Sequence, residues 1–153
     1  MCWPHGFLFM VITGVDHPTL MDMGQRRCAM GIVPLRREEV PHYTRILADS
    51  DMDGLFGAAV LKAFRPDATV MFSHAAALRG GLNDGDIDRN TVLVDLPFHP
   101  ACGWYVDHHL TNRPDEQEAS SFAANGGTQH WEATPSAARL AYELLVDITE
   151  MEH

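Results

Sequence analysis

Long apolar runs are missing from this sequence. None of its 153 residues lies in a stretch approaching the roughly 20 that a membrane span requires, so a soluble chain is expected. The longest candidate, residues 7–12, has no Lys or Arg before it and no small-residue cleavage site soon after, which argues against a secretory signal. Cysteine is scarce as well. Cys2, Cys28 and Cys102 make three, an odd number, far apart and without a CxxC pair. That usage fits reduced thiols in a cytoplasm better than a disulfide framework. Positive charge is also in short supply, with 11 Lys and Arg against 21 Asp and Glu for a formal net charge of −10. Binding to duplex nucleic acid without regard to sequence needs cations to displace counterions from the phosphates, so that class is set aside. Repeats and low-complexity tracts are absent.

What is present is a hydrophobic content of 46%, enough for one core and therefore one domain. Residues 1–40 are rich in Met, Gly, Pro and Cys with no sustained period, and are expected to form a poorly patterned arm carrying at most a strand at 7–12. From Tyr43 the pattern sharpens. Residues 43–48 read as a strand, 55–64 as a helix halted by Arg65-Pro66-Asp67, and 69–72 as a second strand. A loop with Arg79-Gly80-Gly81 and Asp84-Gly85-Asp86 follows. Residues 91–94 form a buried strand ending at Asp95, and 104–106 another ending at Asp107. The polar stretch 111–132 reads as a long loop. Thr134 then caps a helix with Pro135 in its first turn and Ala137, Ala141, Leu144, Leu145 and Ile148 as its apolar stripe, with Arg139 and Glu143 paired on the other face. This order implies an α/β domain, a largely parallel sheet flanked by helices, over residues 41–153.

The most informative segment is Asp49-Ser50-Asp51-Met52-Asp53-Gly54. Its spacing opens like a calcium-binding EF-hand loop, but the acid required at position 12 falls on Val60, and a strand rather than a helix leads into it. A second partial match from Asp84 places Asp95 at position 12 but Arg89 where the glycine belongs. Calcium of that kind is excluded. Aspartates at strand ends are frequently just solvated turns, but here three strands end in aspartate. Asp51 and Asp53 follow the first, Asp95 ends the third, and Asp107 ends the fourth, with His108 and His109 directly after it. In a parallel sheet these ends share one edge, where ligands bind. Carboxylates gathered there repel unless cations compensate, and a carboxylate–imidazole donor set suits Mn²⁺ or a similar ion.

Asp51-Met52-Asp53-Gly54, the strand ending in Asp95, Asp107-His108-His109 and Pro135-Ser136-Ala137-Ala138-Arg139-Leu140 together resemble the DHH phosphoesterase superfamily, most closely its exopolyphosphatase-related branch. The resemblance spans about residues 43–148. It implies a metal-dependent hydrolase acting on the phosphoester or phosphoanhydride bonds of a nucleotide, oligonucleotide or polyphosphate-like substrate. It implies two Mn²⁺ ions, with Mg²⁺ as the alternative, Asp51 on one, Asp53 on the other, Asp95 bridging them and His108 completing the second site. Asp107 would hold the histidines and His109 would face the phosphate. Arg113 and Arg79 are candidates for binding the substrate's anionic groups. The chain departs from the family pattern at two points. Asp49 stands where the family usually has histidine; it is a candidate metal ligand as a carboxylate replacement, the alternative being that it points away and leaves the first site one ligand short. The further metal-binding aspartate and separate substrate domain that usually follow are missing, so the domain is expected to be truncated. The competing expectation is accordingly a metal- or nucleotide-binding module of the same fold without turnover.

Overall fold

The structure, a computed structural model, describes residues 31–150, with side chains as far as Val146. The chain divides into two units, residues 1–31 and 32–153, and the elements named below belong to the second. The expected strand at 7–12, Cys2 and Cys28, and the side chain of Ile148 lie outside the described residues.

Five strands form one sheet: β1 (Arg45–Asp49), β2 (Thr69–Ser73), β3 (Thr91–Val94), β4 (Trp104–Asp107) and β5 (Thr128–Trp131). Their order is β2-β1-β3-β4-β5 and every pairing is parallel. Helices α1 (Met52–Phe64), α2 (Ala75–Arg79), α3 (Glu116–Ala124) and α4 (Ala137–Glu150) flank it. The α/β class with a parallel sheet is thus as the sequence implies.

Strand alternation sorts the core into two layers. Ile46, Ala48, Val92, Val94, Trp104 and Val106 face α1 and α4, meeting Ala58, Leu61, Leu140, Ala141, Leu144 and Leu145. Leu47, Leu93 and Tyr105 face the other way, onto Leu78 of α2 and Phe122 of α3. Strands β3 and β4 are buried along their whole length because both faces are covered. Of the residues expected to form an arm, Ile32 and Leu35 pack against the first layer and Val40 is buried in it.

Two expectations about the second half are corrected. Residues 111–132 are not a loop, since they contain α3 and β5. Helix α3 starts at a capping box in which Asp115 accepts from the Glu118 N–H while the Glu118 carboxylate accepts from the Asp115 N–H. Its apolar side is little more than Phe122, so periodicity does not reveal it. Nor does Thr134 cap the last helix. Its hydroxyl donates to the Ser136 carbonyl, and Ser136 Oγ accepts from the Arg139 N–H instead. The short helix α2, capped by His74, also falls where a loop is expected. The Arg139–Glu143 pair is present at 2.5 Å.

Candidate functional site

The chain leaves β1, passes through α1 to β2 on one side, and returns through α2 to β3 on the other. This reversal opens a crevice between the carboxyl ends of β1 and β3, where open parallel sheets bind ligands. Asp49 ends β1, Asp95 follows β3 and Asp107 ends β4, so the acids share that edge.

Gly54 brings α1 down onto it. A Cβ there would lie 2.2 Å from the Asp49 carbonyl oxygen, a contact that only glycine avoids. Asp51 caps the same helix, its Oδ1 accepting from the N–H groups of Asp53 and Gly54 at 3.0 Å each. Asp53 reaches across to the other helix. Its Oδ2 and Oδ1 accept from the N–H groups of Ala137 and Ala138, both at 2.9 Å, satisfying the first free donors of α4 from 84 residues away in sequence.

Asp95 is the most perturbed acid. It is 2% exposed, and burial, reinforced by the charges of Asp53, Asp51 and Asp107, pushes its carboxyl up to about 8. The Asp51 carboxyl lies within its hydrogen-bonding reach. Its Oδ1 is buried without a hydrogen-bond partner. Its backbone sits at φ 61°, a left-handed conformation that Asp adopts more readily than most residues but that still marks strain at a site.

The two histidines are held differently. His108 Nδ1 lies 2.9 Å from the Thr134 carbonyl oxygen, which only accepts, so Nδ1 carries a proton and Nε2 is the ring nitrogen turned toward the acids. Nε2 lies 3.2 Å from Asp53 Oδ2 and 3.5 Å from Asp95 Oδ1. His109 Nδ1 donates to Asp107 Oδ1 at 3.0 Å and lies 3.4 Å from Asp95 Oδ1. The His109 side chain is 46% exposed, so its Nε2 is the ring nitrogen left for a ligand. Asp107 therefore orients His109, and the Thr134 carbonyl orients His108. Asp107 Oδ2 in turn faces the Tyr105 hydroxyl at 2.9 Å, which also contacts the Asn112 carbonyl oxygen at 2.9 Å.

Donor atoms of Asp95, Asp107, His108 and His109 all lie within 4.8 Å of one another. Asp51 reaches this group through Asp95, and Asp53 reaches it through His108. Asp49 is half-buried at the strand end, and its side chain makes no hydrogen bond or ion pair among the described residues. The donor set fits a divalent cation on two observations. His108 Nε2 converges with oxygens of Asp53 and Asp95, and the Asp95 oxygen is buried without a hydrogen-bond partner. A cation among these atoms would give that oxygen a partner and let the gathered acids ionise together. The donors are oxygen and imidazole, with no thiolate among them. Cys102 is buried, and burial pushes its thiol up to about 12, which removes it as a nucleophile.

Arg79, at the end of α2, donates to Asn112 Oδ1 at 2.9 Å. Arg113 is exposed, with its guanidinium 4.5 Å from the Trp131 ring centroid. The two flank the turn Leu110–Asn112 that follows the histidines. Tyr105 is not among the sequence candidates, although it lies two residues before Asp107 on the same strand face, where period-2 spacing points to it. Thr134 acts through its carbonyl, for which a sequence offers no signal.

Fold and site thus define an α/β domain with an acid–imidazole cluster at the sheet's switch point. No family model matches the chain, and no curated protein matches it. Among solved structures it is similar to a pGpG-specific phosphodiesterase, PggH from Vibrio cholerae, at 27% identity and a TM-score of 0.43, over 66% of this chain and 29% of that one. The chain therefore spans less than a third of that neighbour's length.

Proposed function

We propose that this protein is a divalent-metal-dependent phosphoesterase of the DHH type, hydrolysing phosphoester or phosphoanhydride bonds of a small nucleotide or related phosphorylated substrate. The observation that carries the proposal is the convergence of His108 Nε2 with Asp53 and Asp95 beside an Asp95 Oδ1 that is buried without a hydrogen-bond partner. Asp51, Asp53, Asp95 and His108 would hold the ions, with Asp49 at the rim of the set. Two bound cations would supply an acidified water for attack on phosphorus and offset charge on the phosphoryl oxygens.

The chain's own groups do the rest. Asp107 fixes the Nδ1 proton of His109 and leaves Nε2 directed outward, where a protonated ring donates to a phosphoryl oxygen as charge builds on it. Tyr105 restrains Asp107 and the carbonyl of Asn112 together, tying the triplet to the turn between the two arginines. Arg79, tied to Asn112, supplies fixed positive charge where the substrate's remaining anionic groups would lie, and Arg113 stands on the same rim. The Thr134 carbonyl keeps His108 in the tautomer that a metal ligand needs.

A second reading draws on Asp53. Both of its oxygens already hold backbone N–H groups of α4, which favours a module that binds metal or nucleotide without turnover. Titration calorimetry with Mn²⁺, followed by hydrolysis assays on a phosphodiester and on pyrophosphate, separates the two. Turnover lost in Asp95→Ala supports the phosphoesterase; metal binding without turnover of either substrate supports the module; absence of metal binding overturns the phosphoesterase and the metal-binding form of the module.

A further inference from the structure

Trp131 ends β5 directly across from Asp107 in the parallel register, so its indole stands on the same rim as His109. Its Nε1 donates to the His109 carbonyl oxygen at 3.0 Å, which fixes the ring. Arg113 lies over that ring at a separation well inside the roughly 6 Å limit of a cation–π contact. Among the described residues the Arg113 side chain makes no hydrogen bond or ion pair, so the aromatic face is what positions it. Beside it, Leu110 holds an apolar side chain 76% exposed in the turn between the two arginines.

We infer that the Arg113–Trp131 stack is the seat for the nucleobase of the substrate, which makes a nucleotide, rather than a polyphosphate chain, the substrate class. The inference rests on the phosphoesterase reading and deepens it. Held over the indole, the exposed guanidinium is fixed at the rim with its outer side open to a second π system. Every base has such a face while a polyphosphate has none. Leu110 adds apolar contact that a base or ribose can use and a bare phosphate chain cannot. Arg79, tied to Asn112, is left to the phosphates.

The test is calorimetric binding of AMP and of ribose 5-phosphate to the full chain in Mn²⁺, with Arg113→Ala, Trp131→Phe and Trp131→Leu. The unaltered protein is expected to bind AMP about 10-fold or more tightly than ribose 5-phosphate. Arg113→Ala, at an exposed position that leaves the core untouched, is expected to bring that ratio to within about 2-fold. Trp131→Phe keeps a ring and is expected to retain more of the ratio than Trp131→Leu. A ratio near one in the unaltered protein, or one unchanged in Arg113→Ala, overturns the inference. Hydrolysis of pyrophosphate or a phosphodiester without an AMP preference leaves the phosphoesterase reading standing and removes only the base seat. An AMP preference without turnover keeps the seat and removes the phosphoesterase.

Discussion

Removing the charge from Asp95 should stabilise the metal-free protein, and the effect should grow with pH. The carboxyl is held up to about 8 in the fold, first by burial and then by three neighbouring acids, against an ordinary value of 3.8. Between these two values the folded state keeps a proton that the unfolded chain has released, so stability falls as pH rises and levels off above about 8. At about 1.4 kcal/mol per pH unit, the wild-type protein should lose roughly 4 kcal/mol relative to Asp95→Asn between pH 5 and pH 8. Asn keeps the shape of the side chain and carries no titratable group. The comparison therefore cancels other groups, including His130, whose pKa burial lowers. Urea unfolding of both proteins in EDTA at pH 5, 6.5 and 8 gives the difference directly. Mn²⁺ at pH 8 should stabilise the wild type, with release of about half a proton from Asp95, which is half protonated at that pH. It should stabilise Asp95→Asn far less. A wild-type-to-variant gap that stays flat across this range, or that narrows with pH, would refute the electrostatic argument for a cation site.

The same geometry makes four further outcomes testable. His108→Ala should weaken Mn²⁺ binding by about 10- to 100-fold or more, whereas His109→Ala should leave it within an order of magnitude and suppress turnover; paired calorimetry and kinetics read both. Gly54→Ala puts a methyl against the Asp49 carbonyl and should cost about 3 kcal/mol or more in denaturant unfolding. Tyr105→Phe releases Asp107 without emptying the core, and should lower kcat about 10-fold with less than about 2 kcal/mol of stability lost. Asp53→Asn leaves one amide oxygen to accept where two carboxylate oxygens did, and should cost about 1–2 kcal/mol in addition to weakened metal binding.

Much of the fold is legible because its signals are local. The apolar runs at 91–94 and 104–106 declare strands covered on both faces, and Arg65-Pro66 halts α1 within the sequence itself. The stripe through Ala137, Ala141, Leu144 and Leu145 likewise records which side of α4 meets the sheet. Helix α3 and strand β5 are hidden for the opposite reason. One buried aromatic in a polar helix and a four-residue edge strand carry too little periodicity, although the Asp115–Glu118 capping box is there to be read.

The sequence by itself determined which residues stand at strand ends and that acids and imidazoles accumulate there, since alternation, caps and turn residues act within a few positions. Only the tertiary structure decided what each donor faces. Strand order places Asp95 between Asp51 and Asp107, Asp53 is clamped to a helix start 84 residues onward, and a carbonyl from the loop before α4 fixes the tautomer of His108. Separations of about 3 Å, the length of a hydrogen bond, between groups so distant along the chain arise from sheet register and helix packing, and no short-range pattern in a sequence encodes them.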